Sequence, residues 1–172
     1  MRATIRPYQH GDLASILQLW EQTGSVPVGH DGLTLDQAVE LMNANPPLTL
    51  VAEREGDTVG VAIGGVVGAL GWIYRLTVAP DGEVAEVSRE LISELELKLA
   101  EGGARKVATV MEQDSGSLAV LARYGYAAAG TMRYLERPLP AIGAAAPAAL
   151  EELGAHMIGP GLWDELRGLD EA

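Results

Sequence analysis

Apolar positions along the chain fall into two periods, and the switches between them mark out the elements. In "ATIRPY" (3–8) alternation is short and strand-like, whereas in "GDLASILQLWEQTG" (11–24) Leu13, Ile16, Leu17 and Trp20 recur at three- and four-residue steps behind Asp12. That predicts a strand, then an amphipathic helix capped by Asp12. "LTLDQAVELMNANPP" (33–47) places Leu35, Ala38, Val39 and Met42 on one stripe, with Thr34 and Gln37 spaced as a capping box and Pro46–Pro47 as a stop. "LTLVAER" (48–54) and "TVGVAIGGVV" (58–67) are β-rich runs joined by "EGD", the pattern of an antiparallel hairpin. "GWIYRLTVAP" (71–80) continues as a further strand.

The longest helical signal is "EVAEVSRELISELELKLAEGG" (83–103). Val84, Val87, Leu91, Leu95 and Leu99 share a face with Ile92 beside them, and Gly102–Gly103 end it. "RKVATVM" (105–111) reads as a buried strand, "SGSLAVLARYGY" (115–126) as a short helix closed by Gly125, and "TMRYLERPL" (131–139) as a last strand, with "YAAAG" (126–130) a candidate extra one. The order is β-α-α-β-β-β-α-β-α-β. Past Pro140 the chain turns Ala- and Gly-rich, with amphipathic stretches around Leu150, Leu153, Leu162, Trp163 and Leu166. This predicts a domain over 1–139 and a C-terminal helical appendage over 140–172, docked because its apolar side chains are costly to leave in water.

Composition narrows the function. With 172 residues, 48% of them hydrophobic, the chain can bury one core. It has no cysteine, hence no disulfide or thiolate site, and "MRATIRPYQHGDL" lacks the apolar core of a signal peptide, so the expected location is the cytoplasm. No run reaches the roughly 18 apolar residues of a membrane span. A net charge of −12 opposes binding to nucleic acid or an anionic membrane. His10, His30 and His156 are scattered without helical metal-ligand spacing, so no metal site is expected.

The hairpin and strand "LTLVAEREGDTVGVAIGGVVGALGWIYRLTVAPD", ending in Val-x-Pro and followed by the long helix, "KVATVM" and the closing "RYGY", resemble the GNAT superfamily of N-acetyltransferases over about residues 3–139. The resemblance implies an α+β fold: a mixed, mostly antiparallel sheet splayed at its centre, flanked by helices. It also implies acetyl-CoA in the gap, along the backbone of Leu76, Thr77 and Val78, and an amine on a small molecule or protein as acceptor. A second copy of the chain is a further candidate partner.

The family's phosphate-binding turn falls on Glu83, Glu86 and Ser88, where a basic or amide residue, a glycine and a small residue are expected. A carboxylate about 5 Å from a phosphate at an effective dielectric of about 20 is repelled by roughly 3 kcal/mol before screening. The alternative reading is that Glu83 and Glu86 simply complement the helix dipole. The family's general-acid tyrosine corresponds to Leu121, its late-helix asparagine to Asp114, and polar loop positions to Val67, Ala69 and Leu70. Tyr124, one turn later, is the candidate replacement acid, set against a packing role. Trp72 and Tyr74 alternate on one strand and read as core or as a pocket wall.

Two functions follow from these residues. One is a GNAT-like pseudoenzyme or binding scaffold with acetyl-CoA affinity no better than millimolar, or with no cofactor. The other is an active acetyl-CoA-dependent N-acetyltransferase acting on an amine.

Overall fold

The computed structural model describes residues 2–27, 34–80, 83–110 and 121–131. The chain divides between Thr131 and Met132 into two units, and everything described belongs to the first. The tail and the strand expected over 131–139 lie outside the described residues, apart from Thr131, as do Asp114 and most of the short helix that precedes Gly125.

Strand β1 (Thr4–Pro7) leads through a 3-10 turn (His10–Asp12) into helix α1 (Leu13–Gln22). Helix α2 (Leu35–Ala44) begins at Thr34, whose hydroxyl accepts the Gln37 N–H at 3.3 Å while Gln37 Oε1 accepts the Thr34 N–H at 2.9 Å. The capping box is therefore formed as its spacing requires. Asp12 behaves differently. Its carboxylate does not cap α1; it accepts the Gln9 N–H at 2.8 Å and bonds from the two terminal nitrogens of the Arg6 guanidinium, each at 2.7 Å. A bidentate pair with an arginine on β1 outcompetes a local cap, since charge-assisted bonds are the stronger kind.

After a second 3-10 turn come strands β2 (Thr49–Arg54), β3 (Asp57–Val67) and β4 (Leu70–Val78), then helix α3 (Val84–Glu101) and strand β5 (Lys106–Ala108). The sheet order is β1-β2-β3-β4-β5, antiparallel except for the parallel β4–β5 pair. The mixed, mostly antiparallel sheet with flanking helices is thus the α+β fold that the resemblance implies. "GGVVGALGW" is mostly strand, its turn confined to Gly68 and Ala69, and residues 126–130 form no strand.

Two apolar clusters lie on opposite faces of the sheet. One packs Leu50, Ala52, Ala62 and Ile73 against Val87, Leu91, Leu95 and Leu99 of α3; the other packs Val51, Val61 and Ile63 against Ile16, Leu19 and Trp20 of α1 and Ala38 and Met42 of α2. The alternation along β2 and β3 that divides these residues is the two-residue period of a strand buried on both sides. Helix α3 lies very close to β3. A Cβ added at Gly64 would stand 2.9 Å from Leu95 Cδ1 and 3.0 Å from the Trp72 carbonyl oxygen.

Candidate cofactor and acceptor site

The sheet parts between β4 and β5. Their ladder runs only from Leu70↔Lys106 to Trp72↔Ala108, whereas β4 continues to Val78, so its far edge from Ile73 onward has no ladder partner among the described residues. Alternate backbone N–H and C=O groups on such an edge are available to an extended ligand. Leu76, Thr77 and Val78 lie here, and their side chains are already used. Leu76 and Val78 pack on the α3 cluster. Thr77 is 6% exposed. Its hydroxyl meets Ser25 Oγ at 3.4 Å, and Ser25 Oγ meets Thr23 Oγ1 at 2.6 Å. Because Thr23 donates to the Leu19 carbonyl at 2.8 Å, the hydroxyl protons run from Thr77 to Ser25 to Thr23. What β4 offers a ligand is backbone.

A register shift interrupts β4 just beyond its last pair with β5. Ile63 pairs with Arg75 and Gly64 with Ile73, which leaves Tyr74 as an extra residue bulged out of the ladder. The Arg75 guanidinium lies 5.4 Å from the Trp20 ring centroid, a cation–π contact between β4 and α1.

Glu83 is the N-cap of α3 (φ −102°, ψ 18°), yet its side chain makes no cap hydrogen bond. Instead its carboxylate accepts a charge-assisted bond from Arg54 Nη1, at the end of β2. Glu86, in the first turn, is exposed and held by no ion pair among the described residues, while Ser88 is buried one turn further in. The two acids and the serine thus stand on one helix start, as their spacing dictates, but only the acids border its open end. The pairing with Arg54 changes the electrostatics expected from sequence: one carboxylate of the two is neutralised by a cation from a strand far away in the chain.

Tyr124 is brought to the same helix start. Its phenol donates to the Ala85 carbonyl at 2.9 Å. Leu121 is buried at 8% exposure and carries no proton to give. Tyr126, two residues on, donates to Glu96 Oε1 at 2.6 Å, and burial, reinforced by that carboxylate, pushes its phenol above the usual range. Arg54, Ser25 and the Tyr74 bulge are the features that sequence spacing did not single out. None of the three carried a local signal, because each depends on partners distant in the chain or on strand register.

The first turn of α3, "VAEVS", presents side chains and an acid and has no glycine. Among the described residues no group of His, Asp and Glu side chains is arranged to hold a metal ion, and no helix is long and apolar enough to cross a membrane.

A mixed sheet whose strands part beside a helix start leaves a backbone edge open, and the comparisons give that architecture a family. The family model described as "Acetyltransferase (GNAT) family" matches residues 13–126. The acetyltransferase SG1711 of Sodalis glossinidius is 33% identical over 115 residues, covering 66% of this chain and 79% of that protein. The acetyltransferase ECA0875 of Pectobacterium atrosepticum is 32% identical over the same shares. Among solved structures, the aminoglycoside N-acetyltransferase AAC(6')-Iy, in complex with the bisubstrate analogue CoA-S-monomethyl-acetylneamine, is similar with a TM-score of 0.64 at 18% identity, covering 81% of this chain and all of that one. A ribosomal-protein-alanine N-acetyltransferase from Brucella melitensis biovar Abortus 2308 gives a TM-score of 0.60 at 18% identity, over 80% of this chain and 99% of that one. The chain belongs to the GNAT acetyltransferase family.

Proposed function

We propose that this chain is a GNAT-fold binding scaffold that holds acetyl-CoA weakly and transfers acetyl groups slowly or not at all. The observation that carries this reading is the first turn of α3, where exposed Glu86 and the absence of glycine from 83–88 oppose a pyrophosphate. Leu121 in place of a proton donor, and a Tyr124 phenol already given to Ala85, support it. With Glu83 paired to Arg54, one repelling carboxylate remains rather than two. Roughly 3 kcal/mol taken from a typical micromolar complex of about −8 kcal/mol leaves about −5, a dissociation constant of a few tenths of a millimolar.

The Arg54–Glu83 pair also favours a second reading, an active acetyl-CoA-dependent N-acetyltransferase acting on an amine, as the names of its relatives suggest. In that reading Arg54 supplies the positive charge that position 83 lacks, and Tyr124 or water supplies the proton to the departing thiolate. Calorimetric titration of acetyl-CoA into the wild type and into a Glu83→Gln, Glu86→Gly double variant separates the two. The scaffold reading requires weak binding by the wild type and a gain of about tenfold or more in the variant, which removes both acids from the helix start. Micromolar binding by the wild type, with CoA released when an amine is added, selects the enzyme.

A further inference from the structure

Strand β3 outlasts its neighbour. The last β2–β3 pair is Thr49↔Ile63, whereas β3 runs on to Val67, so the end of the β3–β4 hairpin projects with one backbone edge that has no ladder partner among the described residues. Hydrogen-bond direction alternates along an antiparallel strand, and it settles which groups face outward there. The Thr49 carbonyl accepts the Tyr8 N–H at 2.8 Å on the β1 side, so Leu50 turns toward β3 and its partner Ala62 toward β2. Two-residue steps then turn Gly64 and Val66 the same way. Gly64 is buried, and Val66, half-buried, is left with its N–H and C=O at the open edge.

Natural sheets guard such an edge with lysine, proline or an inward-pointing charge. From Thr58 to Ala79 there is no lysine, no proline and no acid, in a chain that carries 24 acids. The one charge of that stretch, the Arg75 guanidinium, lies over Trp20. The turn at Gly68 and Ala69 is apolar as well, and beside it Val67 is 63% exposed and Tyr74 36% exposed. A basic partner finds no carboxylate here, and a nucleic acid finds no row of cations. Two copies that each carry a net charge of −12 approach with least repulsion where neither presents an acid.

The edge is also complementary to itself. With Val66 opposite the Val66 of a second copy about a two-fold axis, each N–H meets the other's carbonyl, and Val67 falls opposite Gly65 of the second copy. Cross-strand neighbours share a face, and Gly65 is where the Tyr74 ring lies: a Cβ there would stand 2.7 Å from Tyr74 Cε2 and 3.2 Å from its hydroxyl oxygen. One register thus pairs the open backbone and covers the exposed Val67 of each copy with the exposed Tyr74 ring of the other.

We infer that a second copy of this chain extends the sheet here, antiparallel, through the β3 edge at Val66, with Val67 packed on Tyr74 of the second copy. The edge is short and the paired surface small, so the dimer is weak and concentration-dependent. The inference does not depend on whether acetyl-CoA binds.

The test is sedimentation equilibrium of the full chain without acetyl-CoA, from about 5 to about 500 μM in about 0.15 M salt. The average mass is expected to rise from that of one chain, 18.1 kDa, toward that of two. Raising the salt to about 0.5 M should tighten the dimer, because it screens the like charges of the two copies. Val67→Glu puts a carboxylate at the contact and should weaken dimerisation by about tenfold or more. Leu97→Glu, at a 60% exposed position on α3, is the control and should leave it within about twofold. Both positions are largely exposed, so both variants are expected to fold, and circular dichroism checks it. Amide hydrogen exchange in the ¹⁵N-labelled wild type locates the contact: the Val66 N–H should exchange more slowly as the protein is concentrated. A mass of one chain at every concentration overturns the inference, whether the edge is then covered by another protein or by another part of the same chain. So does a Val67→Glu variant that dimerises like the wild type, an equal loss in Leu97→Glu, or a Val66 exchange rate indifferent to concentration.

Discussion

Replacing Gly64 by alanine tests how the parting of the sheet is built. The new Cβ would lie 2.9 Å from Leu95 Cδ1 and 3.0 Å from the Trp72 carbonyl oxygen. Leucine can rotate, but the carbonyl belongs to the residue that makes the last β4–β5 pair, Trp72↔Ala108, and cannot retreat without disturbing that ladder. Overpacking of this kind costs about 2 kcal/mol, within a usual range of about 1–3. For a chain of this length each kcal/mol shifts the melting temperature by about 2–4 °C, so the melting temperature of Gly64→Ala should fall by about 4–8 °C. Gly11→Ala is the control, because an added Cβ there meets nothing within 4 Å. Thermal unfolding followed by circular dichroism reads both variants. A Gly64→Ala melting temperature equal to that of the control would refute the claim that close approach of α3 and the Trp72 backbone sets the top of the cleft.

Further expectations concern single groups. Hydrogen bonding from Arg6, together with the Gln9 N–H, holds the Asp12 carboxyl below its usual range. A folded-state value depressed below the unfolded one gives stability that is present above about pH 4 and lost as pH falls through the folded value, so between about pH 4 and pH 2 the melting temperature should fall less steeply for Asp12→Asn than for the wild type. Tyr124→Phe removes the bond to the Ala85 carbonyl and should cost about 1 kcal/mol in urea unfolding; no loss would mean that the phenol does not tie residue 124 to α3. Arg54→Gln leaves Glu83 without that guanidinium and should weaken acetyl-CoA binding by about threefold to tenfold in calorimetry; unchanged affinity would mean that Arg54 does not offset the acid.

What was legible in the sequence follows from the range of the forces involved. Helix α3 announced itself because its burial against one sheet face repeats every three to four residues, and Thr34 and Gln37 announced α2 because a capping box closes within four residues. The β2–β3 hairpin was likewise a local matter. The Asp12 cap failed because its carboxylate met Arg6, whose placement depends on β1 pairing with β2. The Tyr74 bulge left no mark on the alternation of "GWIYRLTV", since it exists only in the register with β3. Glu83 and Glu86 were found as the acids at the helix start, but the neutralisation of one by Arg54 joins residues 29 apart in the chain and belongs to tertiary structure.

The central claim is that the start of α3 gives no net hold on a pyrophosphate, while the β4 edge still accepts an extended arm. The most direct measurement compares the dissociation constants of acetyl-CoA and S-acetylpantetheine, which shares the thioester arm and lacks the pyrophosphate and nucleotide. Equal affinities, within about threefold, or tighter binding of the smaller compound, are expected when the phosphates contribute nothing or are repelled by Glu86. Acetyl-CoA binding about a hundredfold more tightly than S-acetylpantetheine would show that this turn grips phosphate after all, and would contradict the account.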